Sequence, residues 1–340
     1  MAWRGALGAG ALGGAGLLLW AAAMPPPVHP GPAVEIVATG VHRPLQLVLE
    51  GRSLIVLGLS SYGDSAAELY RVDLGGRLPV DLSGQPRLRI PFAETRPASL
   101  GSLALHPETR QLFLGEENGA RIYRLSPDGR LAVYAVGLHR LAGGSTLAFD
   151  GRGRLLIVDY MDRALSPGED RKAPALEPFP GEEYRGPLVF RLALDDAIPL
   201  PRRLDDVPPF YPRAWAKGQG ALLPRFISLA PLAGGDVALL SSAGEVFRLA
   251  ADGRLEWLAR LPPGHGQYNR INMVGAPDGS LYVSGGFHVA RIFRVSPDGA
   301  VATVASNLAD PEGIALDPAG YLYVAESSFH RIVRFKPAAD

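Results

Sequence analysis

The chain has 340 residues, of which 47% are hydrophobic, so it is long enough to bury a large core. Its 34 Lys and Arg residues balance its 34 Asp and Glu residues, so no strong net field favours nucleic acid or an anionic membrane surface as a partner. The absence of cysteine excludes disulfides, a thiolate nucleophile and cysteine-ligated metal centres.

The N-terminal segment is apolar. Arg4 precedes a Gly, Ala and Leu-rich run over residues 5–23, and a Pro-rich stretch follows. A basic residue, an apolar run and small residues before a break are typical of a signal peptide, although the run also approaches the length of a membrane span. Residues 1–24 are therefore predicted to be a signal peptide or an N-terminal membrane anchor, and residues 25–33 a linker. In both cases the rest of the chain is expected outside the cytoplasm, in the periplasm or secreted.

A four-residue phrase recurs along the chain: an apolar residue, an apolar or aromatic residue, Arg, and an apolar residue. It occupies residues 69–72, 122–125, 189–192, 246–249, 292–295 and 332–335. Self-similarity at this spacing is typical of propeller blades that carry loop insertions.

Each phrase follows an apolar, β-branched or aromatic run, as at 155–158 and 322–324, and several lead into a Pro-Asp-Gly turn, as at 127–129 and 297–299. The repeating unit is thus strand, turn, strand, loop, strand, turn, strand. The pattern predicts an all-β, six-bladed β-propeller over residues 34–337, with insertions near 160–186 and 196–225. The last unit has only three strands, so we expect the N-terminal strand at 34–38 to pair with it and close the ring.

The last unit, residues 310–317, 320–326 and 330–332, resembles the NHL repeat, with weaker copies at 144–159 and 276–295. The chain is similar to the propeller group that holds NHL-repeat proteins, gluconolactonase and regucalcin-like lactonases, and strictosidine synthase-like proteins. The resemblance implies either a binding scaffold or an enzyme. In the lactonases the first blade opens with a Glu-Gly-Pro phrase whose Glu binds the catalytic metal. Here that place holds His42-Arg43-Pro44, and the nearest analogue is Glu312-Gly313 in the last blade.

Ligands of propellers usually meet the face reached by the loops that enter the innermost strands and by those that link the second and third strands. We call this face the loop face. Repeat position assigns to it five of the seven histidines: His42, His139, His265, His288 and His330. The predicted ligand-binding residues are His42, Arg270, His288 and His330.

Carboxylates also recur on the predicted loop face, just after the second strand of three blades. Five residues are candidate oxygen ligands of a divalent cation such as calcium: Glu312, Asp159, Asn272, Glu326 and Glu116. A metal there would polarise a lactone or ester carbonyl. The alternative is structural, because an acidic residue at this repeat position accepts backbone N–H bonds in its own loop and pairs with an arginine such as Arg121 or Arg331.

The leading functional hypothesis is an extracytoplasmic propeller that binds a small-molecule or peptide ligand on its loop face. The alternative is a metal-dependent hydrolase of lactones or esters, and a third is a quinone-dependent sugar oxidoreductase, which no residue specifies. The Gly143–Thr146 phrase lacks the Lys and the following helix of a phosphate loop, so it is not predicted to bind phosphate.

Overall fold

The computed structural model describes residues 33–59, 66–91, 99–117, 119–138, 141–159, 187–213, 225–262, 270–286 and 289–337. Within these ranges the chain forms 25 strands in six sheets, a few short 3-10 turns and no α-helix. The sheets follow one another around an axis, which confirms the predicted six-bladed propeller. The predicted leader, the insertion near 160–186, His139, His265 and His288 lie outside the described residues.

The blades are numbered in chain order. Blade 1 consists of β2 (Pro44–Glu50), β3 (Ser53–Leu59), β4 (Ala66–Asp73) and β6 (Leu88–Pro91). Blade 2 consists of β7 (Ser99–Leu105), β8 (Leu112–Glu117), β9 (Ile122–Leu125) and β10 (Leu131–Val136). Blade 3 has three described strands, β11 (Leu147–Phe149), β12 (Arg154–Asp159) and β13 (Leu188–Ala193).

The second half of the ring follows the same plan. Blade 4 consists of β15 (Phe226–Pro231), β16 (Val237–Ser241), β17 (Glu245–Leu249) and β18 (Leu255–Arg260). Blade 5 consists of β19 (Met273–Gly275), β20 (Leu281–Ser284), β21 (Arg291–Val295) and β22 (Val301–Ser306). Blade 6 consists of β23 (Pro311–Leu316), β24 (Leu322–Glu326), β25 (Arg331–Phe335) and, from the start of the chain, β1 (Glu35–Thr39).

The outer strand of blade 6 comes from the other end of the chain. β1 runs antiparallel to β25, with Glu35 opposite Arg334 and Thr39 opposite Arg331. Two short strands then cover outer edges: β5 (Val80–Asp81) lies parallel to β1, and β14 (Arg202–Arg203) lies parallel to β10. Covered edges cannot template pairing with other chains.

Among the described residues, no helix is long and apolar enough to cross a membrane.

The core is divided among the junctions between blades. Six clusters of buried apolar side chains each combine residues from two neighbouring blades, and the cluster between blades 6 and 1 holds Val37, Tyr70 and Tyr323. Each sheet therefore buries both faces, which is why its central strands are apolar runs rather than alternating ones.

The arginines of the repeated phrase have a structural role. Arg334 pairs with Glu35 at 2.8 Å and Arg294 pairs with Asp278 at 2.8 Å, so each links two strands of its own blade or the turn beside them. Both side chains lie at the blade surface, at 18% and 17% exposure. The apolar members of the phrase point into the junctions, and the phrase is thus a packing signal.

Candidate ligand site at the loop-face end of the channel

The inner strands β2, β7, β11, β15, β19 and β23 all begin at the loop face, and a polar residue precedes the apolar half of most of them. Gln46, Ser102, Ser228 and Asn272 hold this position and are no more than 4% exposed. In β2, β7 and β15 a register shift lies at this residue. Such bulges re-aim side chains at the rims of sheets. The loop-face end of the channel is therefore polar and buried.

Glu312 lies at this level in blade 6 and is fully buried. Its Oε1 accepts a hydrogen bond from Ser327 Oγ at 2.8 Å, whereas its Oε2 has no hydrogen-bond partner in the described structure. Burial raises the pKa of Glu312 to about 7; the Glu117 charge adds to the rise, and Arg270, Ser327 and Arg43 oppose it. A carboxyl group with this pKa exchanges its proton near neutral pH, as general acids and bases do.

Gly313 allows Glu312 to approach blade 1. A Cβ atom on Gly313 would lie 2.8 Å from the Cα of Gln46, which is too close for any other residue. The strand is also irregular here, since the register of β23 against β24 shifts between Pro311 and Ile314. The Glu-Gly phrase singled out in the sequence thus combines a carboxyl group with the backbone contact that places it.

Arg270 forms an ion pair across the channel. Its Nε lies 2.8 Å from Glu117 Oε1 and its Nη2 lies 2.9 Å from Glu117 Oε2, a bidentate geometry. Glu117 ends β8 in blade 2 and Arg270 precedes β19 in blade 5, so the pair joins opposite blades. Arg270 also has a φ of 50°, an uncommon backbone conformation for a residue other than glycine.

The segment over residues 141–146 crosses the channel beside this pair. Gly144 forms a parallel β-bridge with Ile271 of blade 5, and Ser145 Oγ donates to Asn272 Oδ1 at 2.6 Å. Gly144 has a φ of 122°, and a Cβ atom there would lie 2.4 Å from the carbonyl oxygen of Ile271. A Cβ atom on Gly143 would lie 2.6 Å from Glu117 Oε1. The Gly-Gly-Ser phrase is therefore a crossing segment that requires glycine at position 144, where the contact is with backbone.

The structure brings together two of the predicted histidines. The ring centroids of His42 and His330 are 6.4 Å apart, and His330 Nδ1 accepts a hydrogen bond from the backbone N–H of Arg43 at 3.0 Å. His42 Nδ1 lies 3.3 Å from the buried carboxylate of Glu68. Burial by itself raises the pKa of Glu68, but hydrogen bonds from Tyr70 and Arg87 more than offset it and lower that pKa. His42 therefore faces an anion at the rim of the loop face.

Two of the candidate metal ligands are bonded within their own blades. Glu116 Oε2 accepts the backbone N–H groups of Ala120 and Arg121 at 3.0 and 3.1 Å. Glu326 accepts the backbone N–H of Ala309 at 2.9 Å and pairs with Arg331. These are the contacts expected from a structural role.

The remaining candidates are Asp159, Asn272 and Glu312. Asp159 is fully buried at the end of β12, where it lies opposite Leu188. No group of three or more His, Asp or Glu side chains suited to a metal ion occurs among the described residues. Glu117 is the residue that sequence reasoning missed, although it stands next to Glu116 in the printed chain.

Comparisons with known proteins show a similarity of fold. No protein-family model matches the chain, and no curated protein matches it in sequence. Virginiamycin B lyase from Staphylococcus aureus gives a TM-score of 0.53 at 10% identity, over 89% of this chain and 99% of the lyase. The chain shares its β-propeller fold.

Two further solved structures show the same likeness. A calcium-binding protein, regucalcin from Agrobacterium tumefaciens, gives a TM-score of 0.55 at 10% identity over 89% of this chain and 93% of its own. A gluconolactonase from Xanthomonas campestris gives 0.55 at 16% identity over 89% and 88%. At these identities the likeness concerns the fold, which by itself assigns no activity.

Proposed function

We propose that this protein binds a small polar molecule at the loop-face end of its channel, with Glu312 contacting that molecule directly. The observation that carries the proposal is the fully buried Oε2 of Glu312, which has no hydrogen-bond partner among the described residues. A buried polar atom costs free energy until something satisfies it, and native proteins leave few of them unpaired. A ligand that donates a hydrogen bond to Oε2 would remove that cost.

The charges around Glu312 indicate what kind of molecule fits. Arg270 and Arg43 lower its pKa and Glu117 raises it, so two guanidinium groups and two carboxyl groups act on one another here. This balance favours a neutral, hydroxyl-rich or carbonyl-bearing molecule over a multiply charged one. The gluconolactonase among the structural neighbours supports sugar lactones and their acids as the first molecules to test.

Metal-dependent hydrolysis of lactones or esters is the second candidate, because buried oxygen atoms of Glu312 and Asn272 lie at the same end of the channel. The described donor set does not fit a cation well. Asn272 Oδ1 already accepts from Ser145 Oγ, and the positive charge of Arg270 acts on Glu312. We therefore derive no step through a metal.

The test compares wild type with Glu312→Gln and with Glu256→Gln, a matched change on the outer strand β18. Isothermal titration calorimetry with a panel of sugar lactones and sugar acids should give binding to wild type and to Glu256→Gln, and at least tenfold weaker binding to Glu312→Gln, the range expected for a lost charged hydrogen bond. Equal binding by all three proteins contradicts the proposal. Lactone turnover that a chelator abolishes selects the second candidate.

We also propose that the protein works outside the cytoplasm, on the strength of the basic and apolar leader pattern in residues 1–24. Expression of the full chain followed by cell fractionation tests this. Recovery of the protein only from the cytoplasmic fraction would contradict it.

A further inference from the structure

The channel contains a cavity at the end opposite the loop face. Its volume is about 420 Å³, within the range of roughly 300 to 1,000 Å³ that is usual for small-molecule sites. The apolar halves of all six inner strands line it, with Leu105, Phe149 and Leu316 near the mouth. The polar side chains in its lining are those of Gln46, Ser145 and Arg110. Among the described residues of the lining, Arg110 is the one charged side chain.

The crossing segment separates this cavity from the proposed Glu312 site. Ser145 lines the cavity, whereas Glu312, Glu117 and Arg270 do not. The Gly144–Ile271 bridge and the bond from Ser145 to Asn272 lie between the two ends. A molecule in the cavity would therefore enter from the face opposite the loop face.

Arg110 has a backbone conformation that is uncommon for a residue other than glycine. It has a φ of 60°, and its N–H closes the turn by donating to the carbonyl of His106 at 3.1 Å. The residue that closes the corresponding turn in blades 3, 5 and 6 is a glycine with positive φ, namely Gly153, Gly279 and Gly320. Each glycine donates to the carbonyl three residues earlier, so the blade 2 turn is one residue longer. Glycine is the residue that adopts this conformation without strain. Blade 2 instead has an arginine, and this is the blade whose turn reaches the cavity.

Charged side chains contact one another at the mouth of the cavity. Arg110 Nε lies 3.3 Å from Glu50 Oε1, and Arg71 pairs with the other oxygen of the same carboxylate. Two guanidinium groups thus share one carboxylate. The Arg110 side chain is 40% exposed, so it can turn towards a bound anion without losing contact with solvent. The side chains that line the cavity are mostly apolar, and an arginine at its mouth recognises a carboxylate or a related oxyanion.

We propose that this cavity binds an apolar molecule with a single anionic head group, such as a medium-chain carboxylate. The apolar body lies along the inner strands, and the head group lies at the mouth against Arg110. This site is independent of the one proposed around Glu312.

The probes are decanoate and decanol, which share a chain and differ in the charge of the head group. Isothermal titration calorimetry is done with the wild-type protein and with Arg110→Gly, which puts at this turn the residue that the other blades use and should therefore fold. We expect Arg110→Gly to bind decanoate about tenfold more weakly and decanol as well as wild type does. Asn307→Gly is the matched control: Asn307 also has positive φ, at 61°, but belongs to an exposed loop between β22 and β23.

A further variant separates this site from the proposed Glu312 site. Glu312→Gln should leave the affinities for both probes unchanged, because Glu312 does not line the cavity. The proposal is overturned if wild type binds neither probe at millimolar concentration, if Arg110→Gly keeps its preference for decanoate over decanol, or if Glu312→Gln removes decanoate binding. If Glu312→Gln loses sugar-acid binding but still binds decanoate, the two ligands occupy two separate sites, as proposed.

Discussion

The Glu312 carboxyl group makes the stability of the protein depend on pH in a particular direction. The folded state holds its proton up to about pH 7, whereas the unfolded chain releases it near the ordinary value of 4.5. A group with a raised folded pKa stabilises the fold below the unfolded value and loses that contribution as the pH rises through the folded value. Between pH 4.5 and pH 7 this difference amounts to about 3 kcal/mol.

We expect Glu312→Gln to unfold with the same free energy as wild type near pH 4.5 and to be more stable by up to about 3 kcal/mol at pH 8, since the amide cannot ionise. Urea denaturation at a series of pH values measures both curves, and Glu256→Gln should run parallel to wild type. Parallel curves for wild type and Glu312→Gln would show that Glu312 titrates normally and would remove the case for acid–base chemistry at this residue.

At the scale of elements, the pair between Glu117 and Arg270 connects two opposite blades. Glu117 is 7% exposed and Arg270 19%, so removing one partner leaves a largely buried charge. We expect Glu117→Gln to lower the free energy of unfolding by about 3 kcal/mol, and the double variant Glu117→Gln with Arg270→Met to recover much of that loss.

The matched control for this pair lies on the surface. Arg124 pairs with Asp196 at 3.1 Å, but the Asp196 side chain is 92% exposed, so Asp196→Asn should cost well under about 1 kcal/mol. Chemical denaturation of wild type, Glu117→Gln, Arg270→Met and the double variant completes the cycle, and Asp196→Asn is measured beside them. A loss for Glu117→Gln no larger than that for Asp196→Asn would mean that the channel pair contributes no more than a surface pair.

The cross-channel contacts also show where sequence reasoning ends. The repeated phrase predicts the blades because strand and turn signals are local, and the Glu312-Gly313 phrase marks a carboxyl group beside a close backbone contact. The bond between Glu117 and Arg270 joins residues 153 positions apart, and nothing local in either segment specifies the partner. The Gly-Gly-Ser phrase shows that the backbone needs freedom there, but not that it crosses to Ile271. The cavity at Arg110 depends in the same way on all six inner strands together.

At the scale of the whole molecule, the first and last of the described strands pair in blade 6. Ala38 of β1 lies opposite Ile332 of β25, and Ala305 of β22 lies opposite Ile292 of β21 at the corresponding place in blade 5. Both alanines are buried, at 0% and 4% exposure. The difference is connectivity, because β22 follows its partner through a tight turn, whereas β1 reaches β25 only through non-covalent pairing.

A pair of proline variants measures what this pairing contributes. Proline in a strand removes a backbone donor from the hydrogen-bond ladder, so both Ala38→Pro and Ala305→Pro should lower the melting temperature. Ala38→Pro should in addition release β1, expose the edge of β25 and populate dimers or larger species, which size-exclusion chromatography with light scattering detects. Ala305→Pro should stay monomeric if wild type is monomeric, because its strand remains tethered at both ends. Identical melting temperatures and elution profiles for the two variants would mean that β1 is an ordinary outer strand and that the ring is held by its six blade junctions alone.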